Sequence, residues 1–199
     1  MHGIAMPGTP SQTIGPFYGD ALPFPGGGDV APTGHPETVT VHGHVFDGAG
    51  APVPDALLEF WQADRDGSLA GAPGSLCRDG ASFTGFARVT TGRDGHYVLR
   101  TLLPGGVPYL ALCLFSRGLT RHLFTRVYFT LPAEDPLLAS LPTDRCLTLL
   151  AAPDPARHRA YRFDVRLRGE RETVFLDFTD TPASDGTSAH QGSPGDGGV

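Results

Sequence analysis

The chain has 199 residues with 27 glycines, 19 prolines, three cysteines and a formal net charge of −6. That length suits one well-buried domain of roughly 100–200 residues rather than two, and the acidic balance removes the basic footprint of a nucleic-acid binder. Cys77, Cys113 and Cys146 are an odd set without metal-type spacing, which points to free thiols in a reducing compartment and to neither disulfides nor zinc.

The N-terminus has no basic-then-apolar leader, and no apolar run approaches the ~18 residues of a membrane span, so a soluble, cytoplasmic protein is expected. Residues 1–36 read as an extended arm: a loose start, the proline-punctuated run Thr9 to Phe17, and a Gly/Pro loop from Gly26 to Pro36. Such an arm has too little pattern to fold alone and must dock, in this reading on a partner.

Residues 37–178 then alternate short apolar runs with turn signals. Thr38 to Phe46 alternates as a strand, and Asp47-Gly48-Ala49-Gly50 turns it toward Pro52 and Val53. The run Ala56 to Trp61 is a second strand, closed by the turn Asp64-Arg65-Asp66-Gly67, and a patternless polar loop extends to about Ser82. Residues 85–91 and 96–101 read as a hairpin around Gly92-Arg93-Asp94-Gly95.

Tyr109 to Phe115 reads as a strand buried on both faces, and Phe124 to Thr130 as its successor. Ala133 to Arg145 suggests short helical turns, after which Thr148 to Leu150 and Tyr161 to Leu167 resume the sheet, the latter with Arg162, Asp164 and Arg166 on its polar face. Residues 179–199 are low in complexity and are expected to be a disordered tail. Short strands with turn signals about every ten residues predict an all-β sandwich.

The residues offer little self-contained chemistry. His42 and His44, two apart on a strand, point to one face and could pinch a cation, but no third ligand stands near, so a solvated strand face is the expectation. Glu59, Asp64 and Asp94 read as turn caps rather than acids or bases, since no second carboxylate or nucleophile lies beside them. No Gly-x-Ser-x-Gly elbow supports a hydrolase.

Three segments carry a resemblance. They are the strand and turn containing Trp61-Gln62-Ala63-Asp64, the pair Gly85 to Thr91 and His96 to Thr101, and the late strand Tyr161 to Leu167. With the arm Thr9-Pro10-Ser11-Gln12-Thr13-Ile14-Gly15-Pro16-Phe17 and the strand end Phe115-Ser116-Arg117-Gly118, the span Thr9 to Phe178 resembles the intradiol ring-cleaving dioxygenases, within them the alpha chains of the protocatechuate-cleaving branch.

The resemblance implies a division of labour. Iron-binding members use two histidines one residue apart on a central strand and two tyrosines to hold Fe(III), a donor set suited to that hard ion; here Tyr109 and Ala111 stand at the His-x-His positions, and the loop 64–82 has no tyrosine. The implied partner is therefore a homologous beta subunit that holds the Fe(III), in a higher-order alpha/beta complex. The implied activity is cleavage of protocatechuate by O2 to 3-carboxy-cis,cis-muconate in the beta-ketoadipate pathway, with this chain inactive alone. Thr13, Gly15 and Pro16 would line the substrate pocket, and Arg117 would hold the ring carboxylate through a fork of donors. Phe17 stands where that motif often has tyrosine, with Tyr18 next to it. The competing expectation is an iron-free scaffold whose own residues take no part in a pocket.

Overall fold

Along β1 (Val39–Phe46) and β5 (Tyr109–Phe115), every second side chain is apolar and turned the same way, so each strand must bury one face. The computed structural model describes residues 10–15, 17–69 and 76–178, and in it two sheets meet across those faces. The first holds β4 (His96–Thr101), β1, β8 (Ala160–Arg162) and β7 (Ala152–Pro153), in that order, with β9 (Val165–Arg166) also on β1. The second runs β3 (Phe86–Thr90), β2 (Leu57–Trp61), β5 and β6 (Leu123–Tyr128), all antiparallel.

Val41, Val45, Tyr97, Leu99, Phe163 and Val165 from the first sheet close on Leu58, Phe60, Ala87, Leu110, Leu112, Leu114 and Val127 from the second. Each fully buried Leu, Val or Phe contributes about 1.5–3 kcal/mol of transfer free energy, which makes this layer the principal source of stability. Two polar side chains are buried with it. Tyr97, 1 % exposed, donates its hydroxyl to the Phe163 carbonyl at 2.6 Å, and burial holds that phenol above its ordinary pKa. The Gln62 amide donates to Leu102 O at 3.0 Å and accepts from Thr101 Oγ1 at 2.6 Å, tying the end of β2 to the end of β4.

Helical content is small: α1 (Tyr18–Ala21), α2 (Pro136–Ala139), α3 (Thr143–Cys146) and a 3₁₀ turn at Leu147–Leu149. Asp135 caps α2 by accepting from Leu137 N and Leu138 N. The α2–α3 region covers the outer face of the second sheet, where Tyr128, Leu138, Cys146, Leu149 and Val174 form a smaller core.

The structure corrects several readings. Residues 85–91 and 96–101 are not a hairpin: β3 pairs with β2 and β4 with β1, so Gly92–Gly95 is an arch between the sheets. The reason is that Ala87 of β3 and Tyr97 and Leu99 of β4 face the core from opposite sides. Thr148 to Leu150 does not resume a strand, since it lies in and after the 3₁₀ turn, and only Leu150 bridges, to Tyr128. β5 is fully buried on one face alone, with Tyr109, Ala111 and Phe115 half-buried on the other. The late strand is broken in two at Phe163–Asp164, both pieces running parallel to β1.

Gly27 and Gly28 have a specific task. Arg88 N of β3 donates to Gly27 O at 2.9 Å, and Arg100 N of β4 to Gly28 O at 2.7 Å, so this segment covers the free edges of both sheets at once. A Cβ on Gly27 would overlap the Arg88 carbonyl. Val30 follows at 2 % exposure within the core, so Gly27–Val30 of the arm region lies on this chain's own sandwich.

Candidate functional site

β5 ends in a tight turn. Leu119 N donates to Ser116 O at 3.2 Å, and Gly118 has φ +87°, the left-handed value at the third position of a type II turn that glycine supplies without strain. The turn places Arg117 outward with its side chain half exposed. It also aims the Gly118 amide at the arm, where Gly118 N donates to Thr13 Oγ1 at 2.7 Å. The Thr13 hydroxyl keeps its own proton free to donate elsewhere.

The arm is pinned nearby as well. α1 begins directly after Phe17, Ala21 N donates to Phe17 O at 2.8 Å, and the Tyr18 ring lies 5.4 Å from that of Phe115. Thus Thr13 and Arg117, 104 positions apart in the sequence, reach one surface. Gly15 is exposed beside them, and a Cβ there would meet nothing within 4 Å among the described residues. Pro16, expected in the same set, lies outside the described residues. Phe17 is 78 % exposed, and Tyr18, half-buried, is engaged through its ring with Phe115.

One residue the sequence reading missed belongs here. Asp55 Oδ2 accepts from Arg117 Nη2 at 2.9 Å. Nothing in the sequence marks it, because its only cue is a Pro-Asp pair ahead of a strand.

The positions where iron-binding relatives carry histidines do not suit a cation. Ala111 has no donor atom, and the Tyr109 ring lies beneath the Arg126 guanidinium, Cζ 4.2 Å from the ring centre. Arg126 Nη1 donates to Tyr128 Oη at 3.1 Å, Tyr128 Oη donates to Asp135 Oδ2 at 2.9 Å, and Arg126 also stands 3.5 Å from Asp135. Burial pushes the Tyr128 phenol up to about 12, so it stays protonated within this network. A resident positive charge and a protonated phenol are the wrong surroundings for Fe(III). Among the described residues, no group of three or more His, Cys, Asp or Glu side chains could hold a metal ion.

His42 and His44 do share the outer face of β1, but not as a solvated pair. His42 is 8 % exposed and bonded to Asp154 Oδ2 at 2.9 Å, and His44 packs against His96 with ring centres 5.1 Å apart. Burial, with the neighbouring His44, lowers the pKa of His96. The covering comes from Asp154, 112 positions away, which strand periodicity cannot reveal. Glu59 is likewise no turn cap. It lies inside β2 and accepts from Arg88 Nε at 2.8 Å, and Arg88 Nη1 donates to Leu22 O, holding the arm's far end. Asp64 and Asp94 do serve turns, accepting from Arg65 N and His96 N. Among the described residues, no helix is long and apolar enough to cross a membrane.

Comparison with known proteins bears on the fold and the family. A family model described as Dioxygenase matches residues 16–113. The fold is similar to the dioxygenase domain of a dioxygenase and carbohydrate-binding fusion from Streptomyces sp. SirexAA-E, with a TM-score of 0.53 and 25 % identity over 87 % of this chain and 96 % of that one. The two-sheet fold is thus that of the intradiol dioxygenase superfamily.

Among curated relatives, the alpha chain of protocatechuate 3,4-dioxygenase from Burkholderia cepacia is 41 % identical over 85 % of this chain and 96 % of its own length. The same chain from Pseudomonas putida is 34 % identical over 87 % and 98 %. A beta chain from Burkholderia cepacia is more distant, 29 % identical over 69 % of this chain and 67 % of its own. The chain belongs to the protocatechuate 3,4-dioxygenase alpha-chain family.

Proposed function

We propose that this chain is the alpha subunit of a protocatechuate 3,4-dioxygenase, working in a complex with an iron-binding beta subunit that is its homologue. The reaction is cleavage of the protocatechuate ring between its hydroxylated carbons, both atoms of O2 entering the product, 3-carboxy-cis,cis-muconate. The ferric ion, held by the beta subunit, supplies the activation of the dihydroxylated ring. This chain supplies recognition.

The observation that carries the reading is the meeting of the arm with Arg117. Thr13, Gly15 and Arg117 share one open surface, and among the described residues Gly15 has no neighbour that would require a glycine. A glycine in open space fits a wall against which a flat ring from elsewhere can lie, and Pro16 would stiffen that wall. The Arg117 guanidinium recognises the ring carboxylate with charge-assisted hydrogen bonds. Thr13, already anchored by Gly118, has a hydroxyl proton to give to a polar edge of the substrate. Because the patch is open in the isolated chain, the beta subunit must close it and exclude water.

Arg117→Ala in the assembled complex tests this. KM for protocatechuate should rise on the order of 100-fold, as expected when a charge-assisted pair loses one partner, while KM for unsubstituted catechol stays nearly constant. Equal effects on the two substrates would favour an iron-free scaffold without a pocket role.

A further inference from the structure

We propose that Asp55 is a positioning residue, fixing the Arg117 guanidinium by one donor so that the others remain available to the substrate carboxylate; this rests on the carboxylate-binding role of Arg117 given above. The contact is single-point, Arg117 Nη2 to Asp55 Oδ2 at 2.9 Å, and Arg117 Nε and Nη1 have no hydrogen-bond partner among the described residues. A free arginine side chain surrenders rotamer freedom when it binds, so one held beforehand binds more tightly.

Asp55 is itself on a rigid mount. Its amide donates to Thr91 O at 3.3 Å, and the next amide, Ala56 N, donates to Thr91 Oγ1 at 2.9 Å. Thr91 is 4 % exposed, and its hydroxyl donates onward to Val53 O at 2.8 Å. The mount holds Asp55 at φ +58°, a left-handed backbone that Asp and Asn adopt more readily than other side chains.

The arm bears on the same residue. A Cβ on Gly19 would stand 3.2 Å from Asp55 O and 3.3 Å from Asp55 Cβ, so α1 packs against Asp55 with little slack. One aspartate therefore touches both α1, just beyond Thr13 and Gly15, and the arginine, and sets the separation between them.

The experiment compares Asp55→Ala and Asp55→Asn in the alpha/beta holoenzyme, each with and without Arg117→Ala, by KM and kcat on protocatechuate and on catechol. Asp55→Ala should raise KM for protocatechuate about two- to fivefold, the range a half-exposed ion pair supports, with kcat and the catechol constants nearly unchanged. Asp55→Asn keeps an acceptor oxygen and accepts the backbone conformation, so it should recover part of the loss. In the Arg117→Ala background, neither change should add anything.

A fall in KM would show Asp55 competing with the substrate and overturn the assignment. So would equal effects on both substrates, or effects that add to those of Arg117→Ala. Should Asp55→Ala fail to assemble, Asp55→Asn still decides, because a positioning role requires a selective KM rise even there. If Arg117→Ala separates the two substrates and Asp55 does not, only the assignment of Asp55 falls. If Arg117→Ala fails to separate them, the functional reading falls first.

Discussion

Gln62 does more at residue scale than its place in the Trp61-Gln62-Ala63-Asp64 turn announces. It is 5 % exposed and satisfies both the Leu102 carbonyl and the Thr101 hydroxyl across the sandwich. Gln62→Ala would strand both of these buried groups at about 1–3 kcal/mol in all. At ~2–4 °C per kcal/mol for a domain of this size, the melting temperature should fall by roughly 2–12 °C in calorimetry. The turn itself was legible, since Asp64 and Gly67 carry turn chemistry in their own side chains and backbone. The partner of Gln62 was not, because Thr101 and Leu102 lie some 40 positions away and only the stacking of two sheets brings them near. Asp55 and Arg117 were hidden from each other in the same way.

At element scale, β1 shows how far alternation reaches. Its period-two pattern correctly placed Val41 and Val45 inward and His42 and His44 outward, but not the chain that runs alongside. Gly43 is the contact point: Phe163 N donates to His42 O at 2.8 Å, and a Cβ on Gly43 would overlap the Phe163 carbonyl. Gly43→Ala should therefore push β8 and β9 off β1 and cost about 3 kcal/mol, the upper range for overpacking. Denaturant unfolding would register this as a lowered midpoint with an unchanged slope. The arch at Gly92–Gly95 makes the converse point. A Gly-Arg-Asp-Gly turn can close a hairpin or cross between sheets, and the choice between them belongs to β2 and β1, the strands that pair with its two arms.

For the whole molecule, the consequence is dependence on assembly. A sandwich with Arg126 over Tyr109 and no donor at Ala111 has this part of β5 occupied by its own cation. Purified alone, the chain should hold no stoichiometric iron by metal analysis and consume no O2 with protocatechuate. Co-expressed with a homologous beta chain that carries two histidines and two tyrosines, it should yield a coloured complex active on protocatechuate in an oxygen electrode. An isolated chain that is iron-loaded and active would overturn the alpha-subunit reading.

The sequence by itself determined the class of fold, the positions of most strands, and the short helical turns after Ala133. These follow from local periodicity and turn chemistry, both of which are properties of neighbours along the chain. Only the tertiary structure decided which sheet β3 and β4 join, that Gly27–Val30 covers two edges, that Asp154 covers His42, that Thr13 bonds the Gly118 amide beside Arg117, and that Asp55 pairs with Arg117. Those are contacts between residues tens of positions apart, and they exist only once two apolar faces have closed on each other and fixed the distance between everything attached to them.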